Sequence, residues 1–159
     1  MMLMFTSGKK PAAVPIFCVT FLLEKLPVTI TLQGGYMIGF LTLGTTDLSR
    51  AAQFYDALLA EIGAERFMGE EGRFISWAVN GKDPSLAIVM PFDGKPAAPG
   101  NGITVGFVMD NPEQVNSFYQ KALALGAKDN GAPGPRAGGS YYGAYFLDLD
   151  GNKLTCYCN

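Results

Sequence analysis

The feature that most constrains the fold is an internal repeat with a spacing of 64 residues. At this spacing Phe54-Tyr55 aligns with Phe118-Tyr119, and Asp47 aligns with Asn111. The last pair also matches in chemistry, because Asp and Asn both cap helix N-termini through a side-chain oxygen. The repeat therefore predicts two modules of the same fold in tandem.

Each module is predicted to contain a strand, a helix and then three strands, from the hydrophobic periodicity and the turn residues. In the first module, 37–92, the strand is 38–43, the helix is 48–62, and the later strands are 64–67, 74–79 and 86–90. In the second module, 102–159, the strand is 103–108, the helix is 112–125, and strands follow near Ala127, at 141–147 and at 154–157. Residues 93–101 are predicted to be the linker, and 131–139 a glycine-rich loop in which Arg136 is the only charge. Asp148 and Asp150 are explained by a hairpin turn before Gly151-Asn152.

Three stretches carry a resemblance to a known family. They are 38–44 leading into Thr46-Asp47-Leu48, the segment 102–107, and the closing run Tyr145-Phe146-Leu147-Asp148-Leu149-Asp150-Gly151-Asn152-Lys153-Leu154. With the Phe-Tyr pair in the helix, they resemble the vicinal oxygen chelate superfamily, which includes glyoxalase I, bleomycin-resistance proteins and extradiol dioxygenases. The resemblance covers residues 37–159. It implies an α+β fold of two tandem βαβββ modules, a cleft lined by eight strands, and a homodimer.

In metal-dependent members of this superfamily, ligands lie on the first and last strands of each module. The matching positions here are Phe40, Thr104, Thr155 and, through Leu86, Ala87. A divalent metal needs three or four nitrogen, carboxylate or thiolate donors, which these residues do not supply. The sequence therefore predicts no bound metal and no cofactor, although the family's lyases and dioxygenases depend on one.

The cleft residues are predicted from the family's cleft face and from period-two alternation along strands. They are Phe40, Thr42, Trp77, Thr104, Gly106, Arg136, Tyr141, Tyr145, Thr155 and Tyr157. Such a surface would hold a flat, partly apolar molecule by a few hydroxyl groups. Three alternatives stay open: the residues fill the module interface, Trp77 belongs to the core, or Arg136 is a solvated loop charge rather than an anion clamp in a lid.

Composition excludes several classes of function. The chain has no histidine, which excludes Ser-His-Asp and Cys-His catalysis and any histidine-ligated metal. The net charge of −2 argues against nucleic-acid or anionic-membrane partners. Cys18, Cys156 and Cys158 are too few for a disulfide scaffold and fit a reducing cytoplasm. Cys156 and Cys158 are interpreted as small buried residues of the last strand.

Residues 1–36 differ from the remainder of the chain. Their apolar stretch, 11–23, is too short for a membrane span and contains two prolines. One hypothesis is that Gln33-Gly34-Gly35-Tyr36 reflects a ribosome-binding site translated in frame, with Met37 as the natural start. The alternative is an N-terminal arm in which 28–32 adds an edge strand.

Two main hypotheses of function follow. The first is a metal-free protein of glyoxalase/bleomycin-resistance type that binds a small, partly aromatic molecule. The alternative is an enzyme of lactoylglutathione-lyase or dioxygenase type with unconventional catalytic residues. A third, an interaction module for another protein, rests only on the low charge of the surface.

Overall fold

The computed structural model describes residues 37–159, and the expectations for 1–36, including Cys18 and the strand at 28–32, lie outside the described residues. The first module contains β1 (Phe40–Gly44), α1 (Leu48–Leu59), a 3-10 turn (Ala60–Ile62), β2 (Ala64–Glu70), β3 (Phe74–Val79) and β4 (Lys82–Val89). The second contains β5 (Val105–Val108), α2 (Pro112–Ala124), β6 (Lys128–Arg136), a 3-10 turn (Ala137–Gly139), β7 (Tyr141–Leu147) and β8 (Lys153–Cys158).

Each module forms one four-stranded sheet with the same topology. The strand orders are β1-β4-β3-β2 and β5-β8-β7-β6. In both sheets the first and last strands of the module pair in parallel, and the other neighbours are antiparallel. This architecture confirms the predicted α+β fold of two βαβββ modules.

The helices begin where the capping residues predict. The side chain of Asp47 accepts a hydrogen bond from the Arg50 amide at 2.9 Å, and that of Asn111 accepts one from the Gln114 amide at 2.8 Å. These contacts satisfy amide groups that have no partner inside the helix. The first helix ends at Leu59, earlier than predicted, and its 3-10 extension stops at Gly63, which adopts a left-handed conformation with φ 71°.

The predicted loop at 131–139 is wrong for most of its length. Residues 128–136 form the edge strand β6, which pairs with β7 through two register shifts. Pro133 and Pro135 are tolerated because an edge strand does not need every backbone N–H for pairing. The two irregularities accommodate the unpaired residues Asn130, Ala132 and Pro133 on either side of Gly131, which pairs with Tyr145 at φ 146°. Glycine and proline therefore mark bulges in a strand here rather than a loop.

One core lies between the sheets and the helices. Its largest fully buried side chains include Trp77, Tyr55, Phe118 and Phe146. Phe54 and Leu58 of α1, and Val115, Phe118 and Ala122 of α2, are all buried. None of the helices within residues 37–159 is long and apolar enough to cross a membrane.

A carboxylate-rich turn between β7 and β8 joins the two modules. Asp150 accepts hydrogen bonds from the Thr45 hydroxyl at 2.7 Å, the Thr46 amide at 3.0 Å and the Arg50 guanidinium at 2.9 Å. Asp148 accepts one from the Tyr55 hydroxyl at 2.7 Å. The sequence predicted the turn, and the structure adds that it binds the β1–α1 segment of the first module.

Candidate functional site

Each sheet has one face covered by its helix and one face that the helix leaves uncovered. In the first sheet, Thr42, Ala87, Ser76 and Met68 are consecutive partners across the four strands, so their side chains share one face. We call this the first open face. The adjacent row of Leu41, Leu86 and Trp77 lies on the helix side.

The first open face carries a cavity of about 550 Å³. Its walls are mostly apolar, with three hydroxyl groups and a single charged residue, Arg73: Phe40, Thr42, Phe67, Met68, Arg73, Phe74, Ser76, Ser85, Ala87, Val89, Met90 and Phe92. Phe40 is 68% exposed and Phe92 is 95% exposed. Apolar walls with a few hydroxyl groups suit a small, partly apolar molecule.

A second, larger groove of about 670 Å³ lies on the helix side, between α1 and β2. It borders Glu70 and Glu71 and the exposed Arg66. The guanidinium of Arg66 donates to both oxygens of Asp56, at 2.9 and 2.7 Å. We place the candidate site on the first open face because three charged residues border this groove, and two of them, Arg66 and Glu70, already form ion pairs with Asp56 and Arg73.

The corresponding row of the second sheet consists of Gly106, Thr155, Tyr145 and Gly131. Burial alternates strictly along β8, where Leu154, Cys156 and Cys158 are buried and Lys153, Thr155 and Tyr157 are partly exposed. We call the partly exposed side the second open face. It contains the predicted residues Gly106, Tyr141, Tyr145, Thr155 and Tyr157.

Tyrosines form a connected cluster on the second open face. The hydroxyl oxygens of Tyr141 and Tyr145 are 2.6 Å apart. The rings of Tyr141 and Tyr157 meet edge to face with their centroids 6.0 Å apart. The hydrogen bond with Tyr145 raises the pKa of Tyr141, so its hydroxyl stays protonated at neutral pH. The Tyr141 hydroxyl is therefore suited to donating and accepting hydrogen bonds rather than to removing protons.

Two glycines leave the space that these tyrosines occupy. A Cβ on Gly106 would lie 3.1 Å from Cε1 of Tyr157, and a Cβ on Gly143 would lie 3.1 Å from Cε2 of Tyr141. Both distances are shorter than ordinary van der Waals contact. The flat surface beside the cluster therefore depends on the absence of side chains at Gly106 and Gly143.

Arg136 is not part of a lid. It lies at the end of β6, where its Nε donates to the Gly143 carbonyl at 3.2 Å and its guanidinium also donates to the Ala132 carbonyl. Its Cζ lies 5.5 Å from the Tyr145 ring centroid. On the other hand, the sequence analysis missed Lys153, whose Nζ lies 5.0 Å from the same centroid. The signal that could have found it is alternation, because Lys153 precedes Thr155 by two residues.

Trp77 lies on the opposite side of the first sheet from the cavity, contrary to the cleft prediction. It is 2% exposed, its ring lies near that of Tyr55, and its Nε1 donates to Asp56 Oδ1 at 2.9 Å. The Arg66 guanidinium, followed by this indole donor, holds the pKa of Asp56 below its usual value despite partial burial. The core alternative for Trp77 is therefore correct.

The four positions matched to metal ligands do not fit a metal ion. Ala87 and Thr155 lie in equivalent rows, opposite Thr42 and Gly106 respectively. Phe40 presents an exposed phenyl ring, Thr104 lies exposed just before β5, and the Thr155 hydroxyl donates to the Ala144 carbonyl at 2.8 Å. No group of three or more His, Cys, Asp or Glu side chains within residues 37–159 is arranged to hold a metal ion.

The two cysteines of β8 belong to the core. Both are buried without a disulfide, and the Cys156 Sγ contacts the Val115 carbonyl at 3.6 Å. Burial raises the pKa of Cys156 to about 11. A thiolate is the reactive form of cysteine, so Cys156 is not poised for redox or nucleophilic chemistry at neutral pH.

Comparison with known proteins places the chain in a family. The family model described as Glyoxalase/Bleomycin resistance protein/Dioxygenase superfamily matches residues 37–155. A glyoxalase/bleomycin resistance protein from Albidiferax ferrireducens T118 is 31% identical, with a TM-score of 0.68, covering 78% of this chain and 99% of that chain. No curated protein sequence matches the chain.

Two more distant solved structures share the fold. A lactoylglutathione lyase from Agrobacterium tumefaciens is 19% identical, with a TM-score of 0.58 over 80% of this chain and 96% of that one. The fosfomycin resistance protein FosX from Listeria monocytogenes is 18% identical, with a TM-score of 0.56 over 79% and 93%. At these identities the likeness shows the fold and does not extend to activity.

Proposed function

Because this chain belongs to the Glyoxalase/Bleomycin resistance protein/Dioxygenase superfamily, we propose that it binds a small, partly aromatic molecule on its open faces without the help of a metal ion. The observation that carries the proposal is the cavity of about 550 Å³ on the first open face. Its walls offer phenyl rings, methionines and hydroxyl groups where metal-dependent relatives would need metal ligands.

The donor set supports binding rather than metal-assisted catalysis. Phe40 and Ala87 have no donor atom, and neutral threonine hydroxyls are poor substitutes for histidine or carboxylate. The alternative of a lyase or dioxygenase with unconventional residues would need a base in the site. Tyr141 does not supply one, because the hydrogen bond with the Tyr145 hydroxyl raises the pKa of Tyr141.

We also propose that the chain acts as a homodimer in the cytoplasm. The support is the exposed apolar surface, because large apolar side chains grouped on a surface commonly mark an interface or a ligand site. Phe40, Phe92 and Val108 are 68%, 95% and 69% exposed. Sedimentation equilibrium of the full chain should give twice the monomer mass, and a monomer at micromolar concentration would contradict this part of the proposal.

The residues needed for this function are proposed to be 37–159. A chain truncated to residues 37–159 should then bind the ligand as tightly as the full chain does. Loss of binding on this truncation would contradict that boundary.

Binding is tested by thermal denaturation of the full chain with a panel of small aromatic and heteroaromatic compounds. A ligand at 100 times its dissociation constant should add about 2.7 kcal/mol to the free energy of unfolding. Thr42→Trp is expected to fill the cavity and abolish the stabilisation, because Thr42 is an exposed residue of its lining. The matched control is Ser49→Trp, which places the same side chain in the groove between α1 and β2.

The two variants separate the possible outcomes. Loss of binding in Thr42→Trp but not in Ser49→Trp supports the site on the first open face. The reverse pattern would move the site to the helix side and overturn the proposal. Turnover of a glutathione hemithioacetal on addition of a divalent metal would favour the enzymatic alternative.

A further inference from the structure

We propose that Lys153 on the second open face is an anion-binding residue, and that the ligand is therefore an aromatic or otherwise flat molecule with one anionic group. This inference rests on the proposed function and specifies the chemistry of its ligand. It concerns the second module, where the sequence analysis placed tyrosines and Arg136 but no ammonium group.

The position of Lys153 follows from the register of β8. Lys153, Thr155 and Tyr157 are alternate, partly exposed residues, so all three side chains are on the second open face. The Lys153 Nζ lies 5.0 Å from the centroid of the Tyr145 ring. The aliphatic part of the lysine side chain can lie along the aromatic surface while the ammonium group stays available to solvent or ligand.

Charge partners distinguish Lys153 from five of the eight other Lys and Arg residues within 37–159. Arg50, Arg66, Arg73, Lys95 and Lys121 all form ion pairs with carboxylates. Among residues 37–159, no carboxylate lies within ion-pair distance of Lys153 or Arg136. An ammonium and a guanidinium thus lie near one tyrosine ring without a direct ion pair, although the Asp129 carboxylate is close enough to Arg136 for the guanidinium charge to contribute to lowering the Asp129 pKa.

The two cations play different parts. The Arg136 guanidinium already donates to the carbonyls of Gly143 and Ala132, and its Cζ is 5.5 Å from the Tyr145 centroid. It therefore supplies positive potential and holds the edge strand in place. Lys153 has all three ammonium protons to offer to a ligand oxygen. The adjacent hydroxyls of Tyr141 and Tyr145, 2.6 Å apart, add a neutral donor beside it.

The shape of the surface indicates where the flat part of the ligand would lie. Gly106 and Gly143 carry no side chains, and the rings of Tyr157 and Tyr141 lie against them, 3.1 Å from the position that a Cβ on each glycine would take. A planar group can stack there while its anionic substituent reaches Lys153. A carboxylate, sulfonate or phosphate would each satisfy this geometry, and the shared chemistry is a single negative charge beside an aromatic body.

The test compares two fluorescent probes that share one skeleton. They are 8-anilino-1-naphthalenesulfonate and its neutral counterpart N-phenyl-1-naphthylamine, titrated into the full chain. The wild-type protein is expected to bind the sulfonate about five to ten times more tightly, the size expected of one charge-assisted hydrogen bond at a half-exposed site. Lys153→Met should remove that preference and leave the affinity for the neutral probe unchanged, whereas Lys153→Arg should largely retain it.

The matched control is Lys95→Met, which makes the same change of charge on the linker, where Lys95 pairs with Asp93 on the surface. If Lys95→Met weakens sulfonate binding as much as Lys153→Met does, the effect is one of net charge and the inference is overturned. Equal binding of both probes by all variants also overturns it, while leaving the proposed binding function intact. If neither probe binds to any variant, the inference is overturned, whereas the proposed function fails only if the compound panel also gives no thermal stabilisation. Shifts of the backbone amide resonances of Tyr145 and Thr155 on addition of the sulfonate are expected if the inference is correct.

Discussion

Replacing Tyr55 by Phe should destabilise the protein more than the same change at Tyr119. The two tyrosines occupy equivalent positions in the repeat, and both are buried against a helix-covered sheet. Tyr55 donates to Asp148 Oδ2 at 2.7 Å, and Tyr119 donates to Asp129 Oδ1 at 2.8 Å. The difference lies in the acceptors, because Asp148 is buried at the module joint whereas Asp129 is exposed on β6.

The expected loss in the free energy of unfolding depends on what replaces each tyrosine hydroxyl as the partner of its aspartate. Water can reach Asp129 after Tyr119→Phe, so the expected cost is about 0.5–1 kcal/mol for one hydrogen bond. Asp148 would keep only the Asn152 side-chain amide on Oδ2, at 2.8 Å. The loss of a buried hydrogen bond to a charged group costs about 1.5–3 kcal/mol. Urea denaturation of the full-length variants at neutral pH should therefore separate them by about 1–2 kcal/mol at unchanged m value.

Alkaline titration checks the same reasoning independently. Burial, followed by the charge of Asp148, raises the pKa of Tyr55 well above its ordinary value, and burial together with Asp129 raises that of Tyr119 to about 12. The folded state thus keeps protons that the unfolded chain loses near pH 10, so this contribution is complete below about pH 10 and declines as the pH rises further. Each Phe variant should lose stability less steeply than the wild type above pH 10. Equal costs for the two variants, or a cost below about 0.5 kcal/mol for Tyr55→Phe, would refute the role of the buried joint.

Three further predictions concern other contacts. Asp150→Asn should lower the free energy of unfolding by about 1–2 kcal/mol and make stability less dependent on pH in acid. Burial opposes ionisation of Asp150, but hydrogen bonds from Thr45 and Thr46 and the charge of Arg50 outweigh burial and lower the Asp150 pKa. The wild type should therefore lose this contribution as the pH falls below about 4. In a thermal melt, Gly106→Ala should lower the free energy of unfolding by about 1–2 kcal/mol, because the new methyl group would crowd Tyr157. The control Gly134→Ala has open space around its methyl group and should change stability by less than about 0.5 kcal/mol. The triple variant Phe40→His, Thr104→His and Thr155→Glu should bind one Zn²⁺ per chain with a dissociation constant of about 1 μM or less, measured by metal analysis after gel filtration. Failure to bind zinc would show that the assignment of these residues to the metal-ligand positions is wrong.

The fold was predictable because the residues that define the repeat act on the local backbone conformation. Asp47, Asn111 and Gly63 each act where the chain needs a cap or a positive φ, so their effect does not depend on distant neighbours. The prediction of a loop at 131–136 was wrong for the opposite reason. Glycine and proline predict a loop locally, but pairing with β7 turns them into an edge strand with bulges.

The faces of the strands were only partly predictable. Alternation placed Thr155 and Tyr157 correctly because the intervening residues Leu154 and Cys156 are plainly apolar and buried. In β3 both faces carry apolar residues, and alternation alone cannot tell which of them the helix covers. Trp77 was therefore assigned to the wrong side, and its burial and its contacts with Tyr55 and Asp56 of α1 identify the helix face.

The repeat does not predict how the two modules contact each other. Tyr55 and Tyr119 are equivalent in sequence, yet Tyr119 bonds to an aspartate 10 residues away and Tyr55 to one 93 residues away. The second module turns between its last two strands through Asp148 and Asp150, whereas the equivalent hairpin of the first module turns tightly at Asn80-Gly81, both with positive φ. The carboxylates that hold the joint are thus present in one copy of the repeat only. A pattern that is the same in both modules cannot predict a contact that only one module makes. The repeat therefore predicts each module, whereas the placement of one open face relative to the other depends on the turn at 148–152.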